Sequence, residues 1–332
     1  MKDQDLHVLF ADPLTDEFEN RWREALSDLQ VKLTIFDQGS EDILKKNLPD
    51  ADVLMIKRKK VDQDLLDKTE DLKLIIKLSH WPIWVDEDAC KNKGVEVASI
   101  PQLGGIAVAE HAITLMMNCA RDIIPSHRGV KEGNYRDQDL TPEVTTERSF
   151  EFKWLPVDPF EVYGKTLGII GYGEIGKEVS QRANALGMDV VYYEIDKIPS
   201  SWEDKLNVEY RDMNELLSIS DFITLHLPHT DQTEDLISRN EFKTMKSSAY
   251  LINAARGGVV DEKELVKALE DGEIAGAGLD VFEKEPLPYD HPLTEMDNVV
   301  LTPHIGGGSG EGWSDLIGRV KKKIRSVASG TN

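Results

Sequence analysis

The sequence predicts an α/β protein built on two doubly wound parallel sheets, and three observations predict it. Short apolar runs alternate with helix-like segments over residues 5–98, and the alternation restarts at Lys165. In that second half, Gly171, Gly173 and Gly176 stand at G-x-G-x-x-G spacing between a strand and a helix. The length of 332 residues suits about two domains, and a hydrophobic content of 40% can fill their cores.

The first half reads in order. His7–Phe10, Leu33–Phe36, Val53–Ile56, Leu74–Leu78 and Val95–Ala98 are short apolar runs expected as strands. Phe18–Leu29, Glu41–Leu48, Val61–Asp67 and Val85–Lys91 are expected as the helices between them. This half lacks a glycine fingerprint, so it is not read as a second nucleotide domain. Lys57-Arg58-Lys59-Lys60 follows an apolar strand and reads as a solvated loop, with a phosphate or partner site as the alternative. Ile100-Pro101-Gln102-Leu103-Gly104-Gly105 then breaks the pattern. A long apolar helix is expected from about Ile106 to Ile123, packed between domains or subunits. Residues 125–164 mix Pro, Gly, charge and the aromatics Phe150, Phe152, Trp154 and Phe160, and read as a long irregular interface or functional arm.

The stretch Lys165–Glu194 organises the second half. Thr166–Ile170 suits a buried parallel strand, Lys177–Leu186 a helix, and Val190–Tyr193 a second strand closed by Glu194. Gly171 allows the tight turn, Gly173 lets a pyrophosphate approach the backbone, and Gly176 lets the helix pack close to the sheet. The free N–H groups and positive dipole end of that helix favour phosphates. Glu194 can accept bonds from the adenosine ribose hydroxyls. With Asp196 it opposes a 2′-phosphate, so NAD is expected rather than NADP.

Beyond it, Phe222–Leu225, Tyr250–Asn253, Ala275–Asp280 and Val299–Leu301 read as strands. Asn214–Ser218, Arg239–Met245, Glu262–Leu269 and Trp313–Ser326 read as helices. In an open parallel sheet, ligands sit outside the carboxyl ends of strands. That singles out Glu194, His226, Arg256, Asp280 and His304. Arg256 follows a buried strand in a small-residue turn, where a guanidinium can grip a carboxylate or simply cap a neighbouring element. Gly278–Pro286 is a strand end rich in acids. His304 follows Pro303 at another strand end. An arginine, an acid and a histidine so placed suggest an anion grip, a carboxylate that holds and charges the ring, and a proton carrier.

Composition narrows the alternatives. A net charge of −22 disfavours general nucleic-acid or anionic-membrane binding, and an anionic substrate then needs a local positive site. No run of 18 apolar residues occurs, so no membrane span is expected. The charged start MKDQDLHVLFADP is not read as a signal peptide. Cys90 and Cys119 argue against a disulfide framework and fit a cytoplasmic location. No metal site is expected, since Pro228 separates His226 from His229. Tyr193 and Lys197 have Tyr-x-x-x-Lys spacing, but Tyr193 belongs to a strand and not to a helix.

These motifs together make the chain recognisable. GYGEIG at 171–176, DFITLHLPHTDQT at 221–233, LINAARGGVVDE at 251–262, GAGLDVFEKEPLP at 276–288 and LTPHIGG at 301–307 resemble the D-isomer-specific 2-hydroxyacid dehydrogenases. AVAEHAITLMM at 107–117 resembles that family's domain-connecting helix. The resemblance implies a Rossmann NAD-binding domain (102–305) inserted in a flavodoxin-like substrate domain (1–101 and 306–332). Residues 125–164 would form a dimerisation or active-site arm, and the protein would be a homodimer. It implies hydride transfer between NAD and C2 of a 2-oxo or 2-hydroxy acid. His304 would be the acid/base, Glu285 (rather than Glu283) its partner, and Arg256 the substrate anchor. Glu174 and Ile175 would lie beside the pyrophosphate. His226, Pro228, Thr233, Ala254, Asp280 and Gly306 would line the cofactor.

One departure stands out. Where the family usually has a Gly-x-Gly turn that takes the substrate carboxylate, this chain has Lys77-Leu78-Ser79-His80-Trp81-Pro82. Lys77, Ser79, His80 and Trp81 are therefore expected to form a remodelled substrate end, or the tryptophans to fill core or interface space. The alternatives are an NADH-sensing, corepressor-like binding protein, or a dehydrogenase for another small anion such as formate or phosphite.

Overall fold

The computed structural model describes residues 6–36, 41–142, 144, 154–308 and 312–329; Phe150, Phe152, Ser309 and Gly310 lie outside them. The chain divides into two compact units, residues 1–106 with 309–332, and residues 107–308.

The first unit is a five-stranded parallel sheet. Its strands are β1 (Leu6–Phe10), β2 (Val31–Ile35), β3 (Val53–Ile56), β4 (Leu74–Lys77) and β5 (Glu96–Ser99), in the order β2-β1-β3-β4-β5. Every residue of β3 and β4 is buried, as expected of strands covered on both faces. The period of two divides their side chains between two cores. Val8, Phe10, Met55 and Ile76 meet Trp22, Val320 and Ile324 on one face. Leu9, Leu54, Ile56 and Ile75 meet Leu66 and Cys90 on the other. The C-terminal helix Gly312–Ser329 thus completes a core begun at residue 8.

The second unit is a seven-stranded parallel sheet. Its strands are β6 (Thr166–Ile170), β7 (Asp189–Tyr193), β8 (Glu209–Tyr210), β9 (Phe222–Leu225), β10 (Tyr250–Asn253), β11 (Gly276–Leu279) and β12 (Val299–Leu301). Their order is β12-β11-β10-β9-β6-β7-β8. The order reverses between β6 and β9, where an open α/β sheet places its ligand crevice. β8 is new relative to the sequence reading, because two residues carry no alternation to detect.

The connecting region departs most from expectation. The apolar helix runs Leu103–Arg121 and starts earlier than the glycines suggest. It stops at Asp122, which adopts a left-handed backbone (φ 49°) while its Oδ2 accepts a bond from the Asp158 amide at 2.9 Å. A second helix, Ile123–Glu132, follows, and a 3-10 turn covers Asn134–Gln138, so residues 123–138 are ordered rather than irregular. Pro125 sits in the first turn of that helix, where its missing N–H would have had no intrahelical acceptor. The long helix qualifies by length and composition alone as a membrane-spanning candidate. Its buried face lies on the second unit's sheet: a Cβ at Gly278 of β11 would fall 3.0 Å from Leu115 Cβ. Phe160 stacks on Phe222 (6.0 Å) and lies 5.8 Å from Tyr250, tying the end of the arm to the same sheet. Cys90 and Cys119 are free and buried, and burial pushes their thiols up to about 11 and about 12.

Candidate active site

The glycine turn follows β6 and precedes the helix Glu174–Ala185. Gly171 has φ +91°, and a Cβ there would lie 2.5 Å from the His226 carbonyl oxygen. A Cβ at Gly176 would lie 2.5 Å from the Gly171 carbonyl oxygen, which explains how closely the helix sits on β6. Gly173 differs, since a Cβ would meet nothing within 4 Å. That position is open space in front of a helix N-terminus, and it fits a pyrophosphate. Glu174 pairs with Lys177 at 3.2 Å, which offsets its charge at this end, and Ile175 follows it in the first turn. Glu194 closes on the same turn. Its Oε2 accepts from the Tyr172 amide (2.9 Å) and its Oε1 from the Ile195 amide (3.0 Å). The carboxylate is thereby fixed at the carboxyl end of β7, and the donor set suits a dinucleotide.

Two to four strands away from β6, the loops after β10, β11 and β12 converge. The Asn253 side chain shapes the turn after β10: its Oδ1 accepts from the Ala255 amide (3.0 Å), and its Nδ2 donates to the Arg256 carbonyl (3.1 Å). Ala254 is buried in this turn, and Arg256 is exposed at its apex. The next residue leaves no room for a side chain, because a Cβ on Gly257 would fall 1.9 Å from the Phe282 carbonyl oxygen. The arginine turn therefore lies directly against the loop after β11. There the Phe282 amide donates to Glu285 Oε1 (3.2 Å), and Glu285 Oε2 meets His304 Nδ1 at 2.6 Å. Burial alone would raise the Glu285 carboxyl, but the bond to His304 and the Phe282 amide outweigh it. The net shift is below the usual carboxylate range. Glu283 turns away, its amide bonded to Glu262 Oε2 (3.0 Å). The His304 side chain is 47% exposed, and its backbone is left-handed (φ 55°).

Asp280 holds the histidine loop in that conformation. Its carbonyl accepts from the His304 amide (2.9 Å). Oδ1 accepts from the Ile305 amide (3.0 Å) and the Thr302 hydroxyl (2.6 Å), and Oδ2 from the Gly306 amide (2.8 Å). The residue is 1% exposed, so its carboxylate works as an internal clamp on residues 302–306. His111, on the long helix, completes the clamp, with Nε2 3.2 Å from Asp280 Oδ1 and 2.9 Å from Thr302 Oγ1. Sequence reading did not single it out. The available signal was a Glu-His pair, Glu110-His111, inside an otherwise apolar helix.

The remaining expected residues divide in two. In the second unit, the Thr233 hydroxyl donates to the Pro228 carbonyl (2.6 Å) and accepts from the Thr230 amide (2.8 Å), so both residues belong to one self-braced loop. His226 is 9% exposed, with Nε2 2.9 Å from Thr224 Oγ1, and burial pushes its pKa down to about 3. Its ring faces the interior, and only its backbone borders the glycine turn. In the first unit, Lys77 and Ser79 also turn inward, at 3% and 1% exposure. Ser79 Oγ donates to the Trp81 carbonyl (2.8 Å) and accepts from the Trp81 amide (3.0 Å), while the Ser79 amide bonds the Lys77 carbonyl. A loop whose amides are spent on itself does not offer the anion nest that glycines would. His80 is exposed and Trp81 half-buried, with ring centroids 5.3 Å apart. In the basic loop, Arg58 and Lys60 are exposed and Lys57 and Lys59 half-buried. Asp12 accepts from the amides of Lys57 (2.5 Å), Arg58 (2.8 Å) and Lys59 (3.0 Å) and draws the loop in.

Comparison with known proteins bears on the same elements. A family model described as "D-isomer specific 2-hydroxyacid dehydrogenase, NAD binding domain" matches residues 113–306. A D-3-phosphoglycerate dehydrogenase of Methanocaldococcus jannaschii is 37% identical over 97% of this chain and 57% of its own length. This chain thus spans little more than half of that relative. A hydroxypyruvate reductase of Thermotoga maritima is 38% identical over 82% of this chain and 83% of its own. Among solved structures, a D-lactate dehydrogenase from Aquifex aeolicus, complexed with NAD and lactic acid, superposes with TM-score 0.55. It is 29% identical and covers 98% of this chain and 96% of its own.

Proposed function

The chain belongs to the D-isomer specific 2-hydroxyacid dehydrogenase family, and on that premise we propose that it transfers a hydride between NAD and C2 of a 2-oxo or 2-hydroxy acid. The observation that carries the reading is the 2.6 Å bond between His304 Nδ1 and Glu285 Oε2, at an exposed strand end of the NAD-binding domain. With Nδ1 engaged by the carboxylate, Nε2 is the nitrogen left to face substrate. Bound NADH supplies the hydride. His304 gives the carbonyl oxygen its proton from Nε2, and Glu285, held ionised, stabilises the imidazolium beforehand. Arg256 Nη1 already bonds the Ala255 carbonyl (2.6 Å), which steadies the guanidinium while its other N–H groups grip the substrate carboxylate. Glu194, facing the ribose, selects NAD over NADP.

The exposed apolar residues Ile123, Ile124 and Val130 on the helix Ile123–Glu132 support a homodimer built on this arm. Two free, buried cysteines support a cytoplasmic setting. The test is reduction of a 2-oxo acid panel followed by NADH absorbance. Glyoxylate, pyruvate, hydroxypyruvate and its phosphate are included, with formate and phosphite run in the oxidative direction. At least one 2-oxo acid should turn over. In His304→Ala, turnover should fall roughly 10²–10⁴-fold while NADH still binds. Near-normal turnover in that variant would refute the assignment.

A further inference from the structure

The loop that carries Glu285 is held by little burial. Residues 283–286 and 288–290 are exposed, with Leu287 half-buried between them. Few buried contacts mean low local stability. Glu285 must nonetheless keep Oε2 at 2.6 Å from His304 Nδ1. One carboxylate beside this loop has no part in hydride transfer as derived above. Glu262 closes the stretch LINAARGGVVDE and opens the helix Glu262–Glu270, shortly after the arginine turn.

The two oxygens of Glu262 take one donor from each end of the loop. Oε2 accepts from the Glu283 amide (3.0 Å), just before Glu285, and Oε1 lies 3.2 Å from His291 Nε2. The His291 ring is fixed on its other side as well, because Nδ1 accepts from the amide of the fully buried Leu293 (3.3 Å). With Nδ1 accepting, the ring proton stands on Nε2 and is donated to Glu262. The Glu262 side chain is 11% exposed and that of His291 21%, so these bonds form largely out of bulk water. Gly257 packs directly on the Phe282 carbonyl, and the Phe282 amide bonds Glu285 Oε1. The arginine turn, Glu262 and the Glu285 loop are thereby joined at consecutive points. We propose that Glu262 and His291 are positioning residues for the acid/base pair: the Glu262 carboxylate, oriented by His291, pins both ends of loop 283–291 and so sets Glu285 against His304. They act through Glu285 and not on substrate, and the assignment rests on reading Glu285 and His304 as the acid/base pair.

The test joins a kinetic cycle on the full chain to a titration that needs no turnover. The cycle uses NADH and the 2-oxo acid that wild type reduces fastest. Glu262→Ala should lower kcat about tenfold, with KM and NADH affinity changed by less than about twofold. In a Glu285→Ala background the same substitution should cost less than about twofold, because the group it positions is gone. His291→Ala leaves the Glu283 bond in place and should lower kcat about threefold. Glu262→Gln offers one acceptor oxygen to two donors and should match it. Lys263→Ala, exposed on the same helix, should change none of these readouts. The titration follows the Glu285 carboxyl by carbon NMR, assigned by its loss in Glu285→Gln. Burial raises this group, and the bonds from His304 and the Phe282 amide bring it below the usual carboxylate range. In Glu262→Ala it should titrate at higher pH than in wild type. Loss of a neighbouring negative charge alone would move it the other way. Should Glu262→Ala fail to fold, Glu262→Gln and His291→Ala carry the same cycle and titration. If wild-type protein reduces no 2-oxo acid, the hydride-transfer reading fails and the titration alone decides the positioning role. Additive losses in the cycle, or a Glu285 titration that stays or falls, would overturn the proposal.

Discussion

The turn after β1 and the turn after β6 occupy the same place in two parallel sheets, yet they do opposite things. After β6, Gly171 bends sharply and Gly173 leaves open space before a helix N-terminus. After β1, Asp12 gives its carboxylate to the amides of residues 57–59. The turn after β6 gives its Tyr172 amide to Glu194 but leaves the space at Gly173 open, whereas Asp12 ties the turn after β1 to the loop after β3. A doubly wound sheet supplies a crevice at such a turn, and the residues of the turn set what it can take.

The comparison can be broken at either end, starting with the largest effect. Gly171→Ala places a Cβ 2.5 Å from the His226 carbonyl at a backbone angle disfavoured for L residues. It should destabilise the protein by about 4 kcal/mol or more and abolish NADH binding. A melting temperature close to wild type would contradict the close approach. Asp12→Ala strands three amides in a half-buried loop and should cost about 2–4 kcal/mol in denaturant titration, without loss of NADH affinity. A parallel fall in that affinity would remove the distinction drawn between the two turns. Gly173→Ala meets no atom within 4 Å, so stability should stay within about 0.5 kcal/mol of wild type. NADH binding should still weaken by about tenfold or more, because the methyl occupies pyrophosphate space. Unchanged affinity would show that the cofactor does not pass there.

Smaller effects sharpen the picture of the second unit. His111→Ala removes one donor from the Asp280 clamp, and turnover should fall by about five- to tenfold with NADH affinity kept. A change confined to NADH affinity would argue for a different role. His226 is neutral when folded, with its pKa down at about 3, whereas the unfolded chain protonates it below about 6.5. Its stabilising contribution is complete above about pH 6.5 and is lost as the pH falls toward 3. Between pH 6.5 and 5, where few carboxylates titrate, unfolding free energy should fall by up to about 1.4 kcal/mol per pH unit. His226→Gln should flatten that slope, and identical slopes would show that the ring does not titrate on unfolding.

What could be read along the chain depends on near neighbours. Buried runs such as Val53–Ile56 and Phe222–Leu225 coincide with observed strands, because strand formation leaves its mark over a few residues. The glycine turn was legible for the same reason, since its three requirements fall within six positions. Boundaries that depend on distant partners were not. Asp122 ends a helix through a bond to Asp158, and the Asp12 loop is drawn in across 45 residues. The inward turn of Ser79 depends on the backbone two residues on, which residue type alone does not reveal.

The sequence by itself determined two parallel α/β sheets and a dinucleotide turn in the second, and it offered Arg256, Glu285 and His304 as candidates. Only the tertiary structure decided that Glu285 reaches His304, that Asp280 braces the histidine loop, and that His111 joins it across 169 residues of chain (280 minus 111). The physical reason is range. Backbone preference and periodicity act over a turn or two, whereas a buried carboxylate must find its donors wherever folding has brought them.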